Sequence, residues 1–178
     1  VALSFALSSV IHAYSDRMFD RLRPKLLDFQ CPTPARAEVL IDLGGIDTLI
    51  CGMGRVGRGA YKHLEEQRSI LALDIDDSLV TRERKSGLNI AQANMAGTDF
   101  WSSLDIATSQ VSWILLTAPN LQTNINAARN ARRWGYKGFI SASAKYPDEA
   151  EKLLESGVDA IFNIYEEAGA GLAMSGQT

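Results

Sequence analysis

The stretch DTLICGMGRVGRGAYKHL, residues 47–64, decides the fold. A short run of strand character, Thr48 to Cys51, leads straight into Gly52-x-Gly54-x-x-Gly57, and a helical stripe of Val56, Ala60 and Leu64 at spacing four follows at once. A glycine triplet at this spacing is weak on its own. Set between a strand and a helix, each glycine gains a mechanical duty that a side chain would obstruct. Gly52 permits the tight turn, Gly54 lets the backbone approach a pyrophosphate, and Gly57 lets the helix pack close to the strand. The N–H groups at the helix start then point at an anion, with the helix dipole adding attraction. The expectation is a phosphate cradle formed by Gly52, Met53, Gly54, Arg55, Val56 and Gly57.

The next apolar run outward is ILALDIDD, residues 70–77, whose strand ends at Asp74, 74 − 52 = 22 positions after the first glycine. An acidic residue at that distance accepts hydrogen bonds from both hydroxyls of an adenosine ribose and repels a 2′-phosphate. NAD(H), AMP or a related adenosine ligand is therefore favoured over NADP(H). Ile75 joins the candidate set beside Asp74; Asp76 and Asp77 compete for the acidic role, Asp76 reading better as the start of the next helix. Ligands of open parallel sheets sit beyond the carboxyl ends of the strands. By that rule Asn94 can hydrogen-bond adenine and Met95 pack against it after the third strand, while Thr117, Ala118 and Pro119 follow the fourth; for each of these, filling its loop is an equal alternative. The structural alternative, in which the glycines only make a tight turn and Asp74 is an exposed strand end, stays open at this point.

Six strand-length runs alternate with helical stretches: Thr48–Cys51, Ile70–Leu73, Leu88–Ala93, Val111–Thr117, Phe139–Ser141 and Ala160–Ile164. Such alternation requires crossover connections, so the expected class is α/β, a Rossmann-like doubly wound parallel six-stranded sheet with helices on both faces. Asp77 or Ser78 is expected to cap the second helix and Gly87 to end it. Leu121, Ile125, Ala128 and Ala131 or Trp134 form a further apolar stripe, which leaves Asn124, Arg132 and Arg133 to face water or ligand. Pro147 suits the first position of a helix whose acidic start follows.

A net charge of −3 over 178 residues argues against nucleic acid as a partner, since phosphate neutralisation needs clustered Lys and Arg. Hydrophobic content of 46% and charged content of 22% are those of an ordinary globular chain. The two cysteines, Cys31 and Cys51, belong to no metal-ligand cluster. Residues 1–45 read as an N-terminal helical segment and linker, broken by Pro24, Pro32, Pro34, Gly44 and Gly45. Residues 1–14 are apolar and are followed by Arg17, Arg21, Arg23 and Lys25. They read either as an amphipathic or core-packing helix or as the end of a membrane helix leaving on the cytoplasmic side. Residues 46–178 form the nucleotide-binding domain.

Catalytic machinery is hard to find. His12 and His63 have no nucleophile nearby, and Glu166 and Glu167, as helix neighbours, point in different directions. Only 178 − 164 = 14 residues follow the sixth strand, too few for a substrate domain. The reading is a regulatory ligand-binding domain rather than an enzyme. The alternative is a fragment of an NAD-dependent oxidoreductase whose substrate domain is missing.

With these features in place the chain resembles the TrkA-N or RCK domain, the cytosolic nucleotide-sensing module of potassium channels and transporters. It looks most like the C-terminal domain of Kef-type potassium/proton antiporters. The residues that carry the likeness are ICGMGRVG (50–57), LDIDD (73–77), TAPNLQTNINAARNAR (117–132) and LLESGVDAIFNIYEEAGAGLA (153–173). The resemblance implies a homodimer through the RCK domain, binding of NAD(H) or AMP, and control of a covalently attached cation (potassium)/proton antiporter domain. It also implies a place at the cytoplasmic face of the cell membrane. Two departures stand out. Ala93-Asn94-Met95 replaces the family's usual Gly-Asp-Ala, and SASAKYPDEAEK (141–152) replaces an arginine-rich segment tied to glutathione control.

Overall fold

The computed structural model describes residues 41–176. The expectations for residues 1–40, His12 and Cys31 among them, lie outside the described residues. Short apolar runs become strands because both of their faces can be buried. Thr48–Cys51 (β1) is buried at every position, as are the first four residues of Ile70–Asp74 (β2). Ile90–Gln92 (β3), Trp113–Leu116 (β4), Phe139–Ala144 (β5) and Ala160–Asn163 (β6) complete a six-stranded sheet in the order β3-β2-β1-β4-β5-β6. Every pairing is parallel; Thr48 lies between Ile70 and Trp113, and Cys51 between Leu73 and Leu116. The order reverses between β1 and β4, so a crevice opens there beyond the carboxyl ends of the strands. The expected Rossmann-like architecture is the one observed.

Six helices connect and follow the strands: Arg55–Leu64 (α1), Asp77–Lys85 (α2), Thr98–Ser103 (α3), Leu121–Arg133 (α4), Pro147–Glu155 (α5) and Ile164–Ser175 (α6). Alternation along the strands feeds two cores. Leu49, Cys51, Leu73, Ile114, Leu116 and Ile140 join Trp101, Ala127, Ala128, Ala131 and Leu153 on one face. Ile50, Ala72 and Leu115 join Met53, Tyr61 and Val80 in a smaller cluster on the other.

Several local expectations are corrected. The cap of α2 is Asp76, whose Oδ1 accepts from the N–H groups of Ser78 (2.9 Å) and Leu79 (3.2 Å), because its extended backbone places the carboxylate over the open end. Gly87 does take a left-handed φ of 93° behind that helix. On α1, Gly57 and Tyr61 are the buried residues, while Val56, Ala60 and Leu64 are half-buried flanks. Asn124 lines the cleft at the switch point but is not free in water. It is 2% exposed, and its amide closes a ring on Ala118, accepting from the N–H (3.1 Å) and donating to the carbonyl (3.0 Å). Arg132 is fastened too, donating to the carbonyls of Gly157, Tyr136 and Gly138 and pairing with Asp159 at 2.6 Å.

Candidate nucleotide-binding site

The three glycines of the turn divide into two kinds. Gly52 has φ +103°, and a Cβ there would lie 2.7 Å from the Ala118 nitrogen, so the turn needs glycine for both conformation and space. A Cβ on Gly57 would overlap the Gly52 carbonyl oxygen and sit 2.8 Å from Thr117 Oγ1. Those two positions are explained by packing inside the protein. Gly54 is not: a Cβ there would meet nothing within 4 Å, and its φ of −69° is open to any residue. The space its missing side chain leaves is outside the protein. Gly54 is also the N-cap of α1 and offers no side chain to the helix's first N–H groups.

Asp74 stands against this turn. Its Oδ2 accepts from the Met53 N–H at 2.7 Å and its Oδ1 from the Asp76 N–H at 3.0 Å, so the acidic strand end and the glycine loop form one unit. Ile75, next to it, is 62% exposed. Asp76 stays exposed; hydrogen bonds from the Ser78 hydroxyl and the Leu79 N–H hold its carboxyl below the usual range, which suits its capping role.

Thr117 is buried, and its hydroxyl lies 2.6 Å from the Gly52 carbonyl and 3.2 Å from that of Cys51, committed to locking the turn against β4. Ala118 is held by Asn124 as described. The Pro119 carbonyl accepts from Lys145 Nζ at 3.0 Å. Asn94 is exposed and folds over its own turn, its Oδ1 accepting from the Ala96 N–H at 3.2 Å. Met95 departs from the expected packing surface: it is 4% exposed in the larger core, with Trp101 Nε1 donating to its carbonyl at 2.7 Å. A long apolar residue after β3 is drawn inward when a tryptophan lies ready to cover it.

A cleft of about 440 Å³ opens between Gly54, Arg55 and Val56 on one side and Thr117, Ala118 and Pro119 on the other. That volume is within the range of small-ligand sites. Ser143, Lys145, Glu149 and Tyr165 also line it, and the sequence reading missed them. The strand-end rule would have found Lys145 and Tyr165 had it been carried on to β5 and β6, since Lys145 directly follows Ala144 and Tyr165 follows Asn163 closely. A second hollow, of about 480 Å³, borders Met53, Gly54, Arg55, Arg58 and Lys62, so cations stand beside the uncapped helix end. Burial pushes the Cys51 thiol up to about 12, which leaves it without nucleophilic character at neutral pH. His63, Glu166 and Glu167 are exposed on helix surfaces. Among the described residues no group of His, Cys, Asp and Glu is placed to hold a metal ion, and no helix is long and apolar enough to cross a membrane.

A parallel sheet reversing at β1 and β4, a glycine turn feeding a helix start, and an acid at the end of β2 define a Rossmann-type nucleotide-binding domain. Residues 48–164 match the TrkA-N domain, and the chain belongs to that family. Among curated proteins none matches. Solved structures share the fold. The NAD(P)-binding domain of an exopolyphosphatase-related protein from Archaeoglobus fulgidus is 17% identical with a TM-score of 0.67, over 74% of this chain and 98% of that one. The TrkA-N domain of the inner membrane protein ybaL from Escherichia coli is 22% identical with a TM-score of 0.63, over 72% and 94%. The GsuK channel bound to NAD is 17% identical with a TM-score of 0.58; the likeness spans 89% of this chain and 26% of the channel subunit.

Proposed function

We propose that this chain is the regulatory nucleotide-binding domain of a membrane cation transporter, binding NAD(H) or AMP rather than catalysing a reaction. The adenosine ribose lies on Asp74 with adenine beside Ile75 and Asn94, and the phosphates lie over Gly54 and Arg55, where α1 presents unclaimed N–H groups. Thr117, Ala118 and Pro119 wall the far side. The domain works as a homodimer at the cytoplasmic face of the membrane, and differential affinity of its ligand for two dimer arrangements biases an attached potassium/proton antiporter.

The observation that carries this reading is Gly54. Packing accounts for the other two glycines of the turn, whereas the open space at this one is explained by a guest that comes close to the backbone. Calorimetry with NADH, NAD, AMP and NADPH tests it. Binding of the first three is expected, with NADPH weaker because its 2′-phosphate meets the Asp74 carboxylate. Absence of heat and of any thermal shift with all four would remove the proposal.

A further inference from the structure

Arg55 stands where three hollows meet. One is the cleft at the switch point, and another is an apolar trough of about 600 Å³ over Trp113, Leu115, Phe139 and Phe162. The third is the outer hollow of about 480 Å³ between α1 and Leu79 of α2. Neither of the first two holds a second arginine, whereas the outer hollow adds Arg58 and Lys62. Helical spacing brings these cations together. Positions 55, 58 and 62 follow one another by three and four, which sets them along one face of α1 over about 10 Å. Gly59 lies on the same face, and a Cβ there would meet nothing within 4 Å, so the space between the cations is left open.

Their charge is largely unanswered. Among the described residues the side chains of Arg55 and Lys62 have no hydrogen-bond or ion-pair partner. Arg58 pairs with Glu83 at 2.6 Å, but the same Glu83 oxygen accepts from Arg82 at 3.0 Å, so one carboxylate serves two guanidiniums. Arg58 Nε is buried without an acceptor. Asp74 and Asp76 accept from the N–H groups of Met53 and Leu79, two residues that border the hollow, and pair with none of its cations. Composition does not impose this, because the chain has 21 acids against 18 Lys and Arg. Like charges stacked on one helix face repel one another, and an anion between them relieves the repulsion.

We infer that the outer hollow is a second anion site, separate from the nucleotide cleft, and that it takes phosphate groups in a row. This goes beyond the nucleotide reading and does not rest on it. The donors define the chemistry: a guanidinium offers a planar fork to phosphate oxygens, and the Lys62 ammonium adds a point charge. Cations spread over about 10 Å outreach a single small anion, so two or more phosphates in line satisfy them best. A free oligophosphate and the headgroups of an anionic phospholipid surface share that chemistry.

Calorimetry with tripolyphosphate, and flotation with vesicles of equal parts phosphatidylglycerol and phosphatidylcholine, test this on the whole chain. Lys62→Gln and Arg58→Gln are the variants, because both residues line the outer hollow and neither lines the cleft. Lys62 is exposed, so its replacement leaves the fold intact; circular dichroism checks Arg58→Gln, which deprives Glu83 of one partner. Each substitution is expected to raise the tripolyphosphate dissociation constant roughly tenfold, the loss of one charge-assisted contact, and to leave that for NADH unchanged. Vesicle binding that both substitutions abolish, with tripolyphosphate not bound, would support the same site and name lipid as the source. Affinities that survive both substitutions, or no binding of either probe, would overturn the site. A parallel loss of NADH affinity would overturn it too, by merging these cations with the cleft. Failure of NADH to bind the unaltered chain removes the nucleotide reading alone.

Discussion

Gly54→Ala and Gly57→Ala should have opposite consequences, although they change adjacent elements of one motif. At Gly54 the new methyl meets no protein atom within 4 Å and the backbone is at φ −69°, so the folded state gains no clash. Reduced freedom of the unfolded chain stabilises by about 0.4–1 kcal/mol. The poorer helix-capping preference of alanine opposes this by a similar amount. The net is near zero, a shift of at most about 2–4 °C in Tm for a chain of this size. At Gly57 the methyl overlaps the Gly52 carbonyl and crowds Thr117, and overpacking of this kind costs about 1–3 kcal/mol or more. For binding the order reverses. The Gly54 methyl stands where the phosphates approach, and losing a charge-assisted hydrogen bond there costs about 1.5–3 kcal/mol, roughly 10- to 150-fold in Kd. Differential scanning fluorimetry with calorimetry for NADH reads both quantities on the same samples. A Gly54→Ala protein that binds NADH as tightly as the unaltered chain, at unchanged Tm, would refute the assignment of that space to a ligand.

Two further outcomes follow from the same geometry. Asp74→Ala should weaken any ribose-bearing ligand by about 1.5–3 kcal/mol in calorimetry. It should also lower the stability of the ligand-free protein by about 1–3 kcal/mol in urea unfolding, because the buried Met53 N–H loses its acceptor; unchanged stability would show that the carboxylate does not organise the turn. Burial raises the Cys51 thiol from 9.0 to about 12 and, as the main cause, the Tyr136 hydroxyl from 10.0 to about 12. The unfolded chain releases these protons first, so stability is full below pH 9 and declines as pH rises from about 9 towards 12. A urea midpoint that stays level from pH 8 to pH 11 would contradict that burial.

The sheet was legible because its signals are local. Each strand is a short apolar run, and the glycine spacing with Asp74 fixes which run comes first and which second. What the sequence concealed depends on contacts that only the folded backbone makes. The buried line of α1 passes through Gly57, which carries no hydrophobic signal because the helix rests directly on a carbonyl there, so the eye settles on Val56, Ala60 and Leu64 instead. Asn124 looks like a solvent-facing amide until Ala118, six residues earlier, folds back to meet it. Met95 turned inward to the apolar cluster that also holds Trp101, whose indole N–H bonds its main-chain carbonyl. Lys145 and Tyr165 entered the cleft through topology alone, since only the sheet order brings the ends of β5 and β6 alongside Gly54.

Arg55, Val56, Thr117 and Ser143 belong both to the cleft at the switch point and to the apolar trough beside it. These four residues are a party wall between the two hollows. A guanidinium that swings towards an anion on one side leaves the other, so news of an occupant has almost no distance to travel before it alters what the neighbouring chamber will accept. Reciprocity then requires that whatever fills the trough retunes the cleft by the same factor.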